Sequence, residues 1–563
     1  MLSFRILVTG AVVSGLSVIA QTNSPVINNA PNTGVSPQVG VRTNAINLTA
    51  TNFVAGGLSV TNGALAGYAT NYVPPTSILG SNIVVRPISL PEAIAMALQN
   101  NFDVQIARFD PAIAGFNLAG SYAIYEPSLG FQYSHSYSLP PGRIDPVTRV
   151  VQPGGESESD NFRGAPLLSG YAPSGLTYDI DFSLVGSEFN DPDNINPLLR
   201  NTEQYTSGAG ISLRQPLLRN FWIDQPRATI QINKKRVKIS EWQLRGQMMT
   251  TIAAVENAYF DLIRARENIK VQRAALEYNN QLLRENRKRV EVGALAPLDE
   301  KQAEAEVARG VATLLQTEQG YALALNTLKN LIVNDFSRWA PIVIDPLETL
   351  VAVPTTPQLA ESWRRGLEMR PEIQQLKLDL EAQDINLKFL RNQLWPQLDL
   401  FGSYGRSGRN TSYGRAADEL TEDLYPEHSY GVVFSIPLGN RSARNSLKAA
   451  KASTEQSLLS YKALEQDIMV QIDNAIKLLA SQYQQVEATR QARLFAQDAL
   501  LAEQKKFENG KSTSFNVLLY QRDLTRSRFE ELAALADYNK ALSGLSAAEG
   551  GTLVRHNLNV QAQ

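Results

Sequence analysis

The chain has 563 residues, of which 43% are hydrophobic and 19% charged, so most of it can bury apolar surface and it is not a disordered polymer. Its formal net charge is −2, with Lys and Arg scattered among Asp and Glu, which leaves no electrostatic footprint for nucleic acid or anionic lipid. There is no cysteine, and this excludes a disulfide framework, a Cys-ligated metal, a thiol nucleophile and N-terminal lipoprotein modification.

Residues 1–20 read as a secretory signal peptide: Arg5 precedes an apolar stretch over 6–19, and Val18-Ile19-Ala20 offers small residues for cleavage. That stretch is too short to span a bilayer as a helix, and no later apolar run is long enough to do so. A mature protein that sits in a membrane must therefore cross it as strands, because only helices and closed barrels satisfy the backbone in lipid. Residues 21–85, rich in Asn, Thr, Pro and Gly and almost uncharged, read as a low-complexity, disordered segment.

From residue 86 the chain repeats itself. Residues 92–98 followed by Phe102-Asp103 read like 361–367 followed by Pro371-Glu372, and Tyr125-Glu126-Pro127 reads like Leu394-Trp395-Pro396 at the same offset. Further on, Asn257-Ala258, Arg273, Gly293 and Tyr321 match Asn474-Ala475, Arg490, Gly510 and Tyr538 at a smaller offset, because the first half carries an insertion over 139–205. Repeat 1 is expected at 86–335, a linker at 336–358, repeat 2 at 359–552 and a tail at 553–563. Each repeat is expected to hold a helix, a strand, a return strand, a very long helix, a Gly turn and a second long helix.

The strands alternate. Phe131, Tyr133 and Tyr137 interleave with Gln132, Ser134 and Ser136; Leu398, Leu400 and Tyr404 behave likewise, as do Tyr430, Val432, Phe434 and Ile436. Such alternation fits one face in lipid and one in a wet lumen. Four strands cannot close a barrel around a useful lumen, so several chains must contribute. Within the insertion, Leu176, Tyr178, Ile180, Phe182 and Leu184 alternate with Thr177, Asp179, Asp181 and Ser183. This is either a hairpin above the membrane or a set of extra barrel strands.

Between 226 and 292 only Gly246 interrupts a helical pattern, and Met248, Val255, Leu262, Ile269, Leu276, Leu283 and Val290 recur at every seventh position. Ile472, Leu479, Val486, Leu500 and Phe507 keep the same seam in the second half, with Arg493 as the exception. A strict heptad imposes a left-handed supercoil on helices packed side by side. An ordinary coiled coil without a pore is the alternative that these helices alone leave open. The Lys234, Lys235, Arg236, Lys238 cluster reads as a solvated helix face.

Catalytic chemistry is not visible. Gly510-Lys511-Ser512 looks like the end of a phosphate loop, but that motif needs a glycine where Lys505 stands. His135, His428 and His556 lie far apart, so their spacing offers no metal site or triad. No enzyme, cofactor or metal is expected.

These residues resemble the TolC family of outer-membrane efflux proteins over about 86–552. Ile88-Ser89-Leu90-Pro91-Glu92-Ala93, followed by 97–101, is similar to the family's start of repeat one. Residues 125–129 and 394–398 resemble its helix-to-strand crossings, while 215–218 and 436–438 resemble its strand-to-helix returns. The resemblance implies an α+β membrane protein: a homotrimeric 12-stranded outer-membrane β-barrel, four strands per chain, continued into a long periplasmic α-helical barrel. It implies a passive duct of a tripartite efflux or type I secretion system, with a periplasmic adaptor, an inner-membrane efflux pump or ABC exporter, and outer-membrane lipid as partners. The alternative is a periplasmic or surface coiled-coil scaffold. Adaptor-docking tips are implied at Val292, Gly293, Ala294 and Leu295 and at Asn509, Gly510, Lys511 and Ser512. Periplasmic aperture candidates are Asp299, Asn516 and Leu519, the last two departing from the family's acidic residues.

Overall fold

A computed structural model describes residues 84–144, 147–152, 154–190, 201–422 and 424–558. The expected signal peptide, nearly all of the 21–85 segment and the last five residues lie outside the described residues. The elements are β1 (Val84–Ile88), α1 (Leu90–Asn100), α2 (Phe102–Ser121), a 3-10 turn, β2 (Ser128–Leu129), β3 (Gln132–Ser138), β4 (Arg143–Ile144), β5 (Val151–Gln152), β6 (Glu156–Tyr171), β7 (Thr177–Asn190) and β8 (Asn201–Pro216). There follow α3 (Gln225–Glu291), α4 (Pro297–Ile332), α5 (Phe336–Trp339), β9 (Ile342–Pro346), α6 (Leu359–Met369), α7 (Pro371–Asn392) and β10 (Gln397–Asn410). The chain continues with α8 (Tyr413–Asp418), β11 (Pro426–Ser435), α9 (Arg441–Glu508), α10 (Ser514–Ala548) and α11 (Thr552–Arg555).

Two of the long helices, α3 and α10, begin where their sequence provides side-chain caps. Asp224 accepts from the Arg227 amide at 2.8 Å ahead of Pro226, and Thr513 accepts from the Asn516 amide at the head of α10. The α3 helix has 67 residues and α9 has 68, so each runs about 100 Å at 1.5 Å per residue. The heptad positions face inward as the spacing predicts. Met248, Val255, Leu262, Ile269, Leu276 and Leu283 are buried, and Val290 is half-buried in the last turn of α3. In the second half Ile472, Leu479, Val486, Leu500 and Phe507 are buried. Arg493 stands in that seam because Glu531 of α10 meets it at 2.6 Å.

The main core gathers α1, α3, α4 and β9 around Ile94, Ile252, Tyr259, Leu262, Leu328 and Ile344. The stretch read as a linker is strapped down. β9 pairs in parallel with β1, the Arg266 guanidinium donates to Asp345 at 2.7 Å and to the Pro346 carbonyl, and the Asn539 amide group donates to the Val351 carbonyl. Val84 and Val85, at the end of the segment read as disordered, belong to β1.

The sheet of the single chain holds more strands than the four per chain implied by the family resemblance. Its order is β11-β10-β8-β7-β6, closed at the far edge by β2 and β3, which both pair with β6 as one strand interrupted at Gly130. That makes six strands. The insertion supplies β6 and β7, and the bulge at residues 164–168 of β6 shifts its register and breaks the alternation by which a strand is read. Among the described residues neither edge, β11 nor β2–β3, has a further partner, so the single chain holds an open sheet and not a closed barrel. None of the described helices is long and apolar enough to cross a membrane.

Candidate functional site

Two structures stand out: the paired turns at the far ends of the long helices, and the two-faced sheet. At the first turn, the amide of Gly293 donates to the Val290 carbonyl at 2.9 Å and that of Ala294 to the Arg289 carbonyl at 2.7 Å. At the second, Gly510 donates to Phe507 at 3.0 Å and Lys511 to Lys506 at 2.8 Å. Both are Schellman caps, which require a left-handed residue just past the helix. Gly293 and Gly510 supply it, at φ of 71° and 72°.

The two turns pack together. Leu295 from the first joins Leu282, Leu500, Phe507, Val517 and Leu518 in one apolar cluster, and the Arg289 guanidinium lies 4.4 Å from the Phe507 ring centre. Ser514 donates to Asp299 at 3.1 Å, tying the start of α10 to the start of α4. Glu503 is buried behind the second turn. The Ser512 hydroxyl and the Lys506 ammonium both reach it and hold its carboxyl below the usual range. Val292, Gly293, Ala294, Asn509, Gly510 and Lys511 face solvent, while Leu295 and Ser512 are partly buried.

The aperture candidates are placed unequally. Asp299 faces Ser514, Asn516 folds back to the Ser512 hydroxyl at 3.4 Å, and Leu519 is half-buried. No acidic partner from the second tip accompanies Asp299 among these contacts. Sequence reasoning missed Glu503 and the Tyr278–Gln504 hydrogen bond of 2.7 Å that links α3 to α9. Only the packed helices bring these residues together, so no local spacing announces them.

At the other end, cross-strand pairs put like residues on one face of the sheet. Leu168, Ile180 and Ile211 are successive partners, followed by Tyr404; Gly402 bridges Leu213 to Tyr430, and Leu400 meets Val432. The opposite face carries Ser169, Asp179, Ser212 and Ser403 in succession, with an Arg214–Asp399 ion pair at 2.7 Å between β8 and β10. Trp222 and Trp395 are exposed where the strands give way to helices, the level at which aromatic side chains favour a membrane interface. The arrangement offers a polar sheet face, an apolar sheet face and, at the far ends of the long helices, a pair of exposed turns.

Comparison with known proteins agrees with this geometry. Residues 186–333 and 364–551, more than half of the chain, match the profile of a family described as outer membrane efflux protein. The outer membrane protein TolC of Vibrio cholerae is 23% identical over 353 residues, covering 60% of this chain and 77% of its own. TolC of Escherichia coli is 23% identical over 407 residues, covering 69% and 77%. Among solved structures, the CmeC outer membrane channel of Campylobacter jejuni superposes with a TM-score of 0.59 at 16% identity, over 90% of this chain and 94% of that one.

Proposed function

The chain belongs to the outer membrane efflux protein family, as a TolC-like outer-membrane channel, and on that premise we propose that it is the exit duct of a tripartite efflux or type I secretion system. In this reading it is a homotrimer built from duplicated repeats. Its helices form a periplasmic tube, and its hairpin tips dock a periplasmic adaptor that couples it to an inner-membrane pump or ABC exporter. The duct itself is passive.

The observation that carries the reading is the continuity of an open, two-faced sheet with helices about 100 Å long that end in paired, exposed turns. A sheet with an apolar face and unpaired edges cannot stay in lipid as a single chain, because the edge amides and carbonyls would have no partner. A coiled-coil scaffold would need no such face. The helices are also incomplete alone: Phe102, Ile106, Phe109, Ile113 and Phe116 form an exposed stripe at heptad spacing along α2. A second copy's helix is the occupant this stripe fits.

The test joins assembly to conduction. Detergent-extracted protein should have the mass of three chains and form long-lived channels in planar bilayers, and crosslinkers placed at residues 294 and 511 should capture the cognate adaptor. A monomer that never conducts would overturn the duct reading.

A further inference from the structure

We infer that the inserted hairpin β6–β7 is a third pair of membrane strands, so that three chains close an eighteen-stranded barrel rather than the twelve-stranded one implied by the family resemblance. The inference rests on the trimeric reading for the number of chains and on this chain's own sheet for the strands. β7 pairs with β8 without a register shift from Thr177–Arg214 to Asn190–Asn201, and β8 pairs with β10 from Pro216–Asp399 to Tyr205–Asn410. The hairpin therefore stands at the same height as the strands on either side. Its 16 and 14 residues exceed the roughly 9–11 that a tilted strand needs to cross a bilayer.

The turn and the length of the hairpin fit a membrane strand pair. At the helix side, Tyr171 donates to Asp224, the cap of α3, at 2.6 Å, and the Gln215 side chain donates to the Ser174 carbonyl at 3.1 Å. The tight turn over residues 172–176 is thus fastened to the junction where the other strands become helices. Along its length, Tyr178, Ile180, Phe182 and Leu184 share a face with Leu213 and Ile211, while Asp179, Asp181 and Ser183 share the other with Ser212, Gly210 and Gly208. A hairpin standing in water above the membrane would leave that apolar row uncovered.

The edges say what closes the sheet. Every neighbouring pair from β3 through β6, β7, β8 and β10 to β11 is antiparallel, so in a sheet of six strands β3 and β11 run in opposite directions. The β11 edge of one copy therefore meets the β3 edge of the next as an ordinary antiparallel pair, and head-to-tail pairing of this kind forms a ring. With strands about 4.8 Å apart and tilted about 40°, eighteen strands give a barrel about 36 Å across between backbones, against about 24 Å for twelve. The added lumen wall carries Asp179 and Asp181.

The absence of native cysteine makes the test clean. Full-length mature protein with single substitutions Ile180→Cys, Asp181→Cys, Phe182→Cys and Ser183→Cys is reconstituted in liposomes and treated with a membrane-impermeant maleimide, and native mass spectrometry counts the chains. The expected result is labelling at least tenfold faster at 181 and 183 than at 180 and 182, on a three-chain particle. Equal rates at all four positions would put the hairpin in water and overturn the extra strands, leaving the trimer intact. Alternating rates on a two-chain particle would keep the hairpin in the membrane but overturn both the trimer and the count of eighteen.

Discussion

Glu256 is fully buried on α3, where Ser543 of α10 and His556 donate to it, His556 at 2.9 Å, with Arg555 3.7 Å away. Burial alone would raise its carboxyl pKa, but the His556 and Ser543 hydrogen bonds and the Arg555 charge outweigh that and hold it below the ordinary value of 4.5. A carboxyl depressed in the folded state adds stability above its unfolded pKa and loses it as pH falls through the folded one. Glu256→Gln should therefore cost about 2 kcal/mol at pH 7. The gap to the parent protein should close as pH falls below about 4.5, which thermal melts of both proteins across that range would measure. The tip glycines make a different prediction at the same scale. A Cβ at Gly293 or Gly510 meets nothing within 4 Å, so only the positive φ resists it, at about 1–2 kcal/mol each. The Gly293→Val, Gly510→Val double variant should reach the outer membrane in near-normal yield yet crosslink poorly to its adaptor. Normal crosslinking and export would remove the tips from the coupling.

Among the elements, the α9–α10 hairpin shows how a heptad seam accommodates a charge. Arg493 occupies a layer between Val486 and Leu500 and is only partly exposed, as is Glu531 opposite it. Removing one partner strands the other in a poorly hydrated layer, whereas replacing both by apolar residues of similar volume is often neutral. Arg493→Leu should thus lower stability by about 2 kcal/mol, and adding Glu531→Leu should restore most of it. A double-mutant cycle by urea unfolding checks this. If the two losses simply added, the ion pair would have no part in the seam. The α3–α4 hairpin carries no such charge in its matching layers: Ile269, Leu276 and Leu314 pack with Val307 and Val311, and Gly310 lets Leu276 come close.

For the whole molecule, assembly should depend on surfaces that the single chain leaves open. Ile106→Asp with Phe109→Asp places charges on the exposed stripe of α2 and touches nothing in the chain's own core, so each subunit should fold with unchanged helix content. The heat-resistant oligomer should disappear, or its yield fall at least tenfold, on gels of unboiled outer membranes. A normal oligomer in this variant would mean that the stripe faces solvent or cargo and not another copy.

The amino-acid sequence alone determined the parts whose causes are local. Seven-residue spacing specifies helices of nearly full length, glycine specifies the two left-handed caps, and period-two alternation specifies β3, β10 and β11 to within a residue or two at most ends. Tertiary structure decided what depends on partners distant in the chain. The register of β6 is set by pairing and hidden by its bulge; Asp399 finds Arg214 across the sheet; Glu531 explains Arg493; and the 336–358 stretch is held by side chains of α3 and α10. The reason is physical. A helix satisfies its backbone within four residues, so its pattern is written locally, whereas a strand satisfies its backbone only through neighbours, and a face becomes wet or dry only when those neighbours are in place.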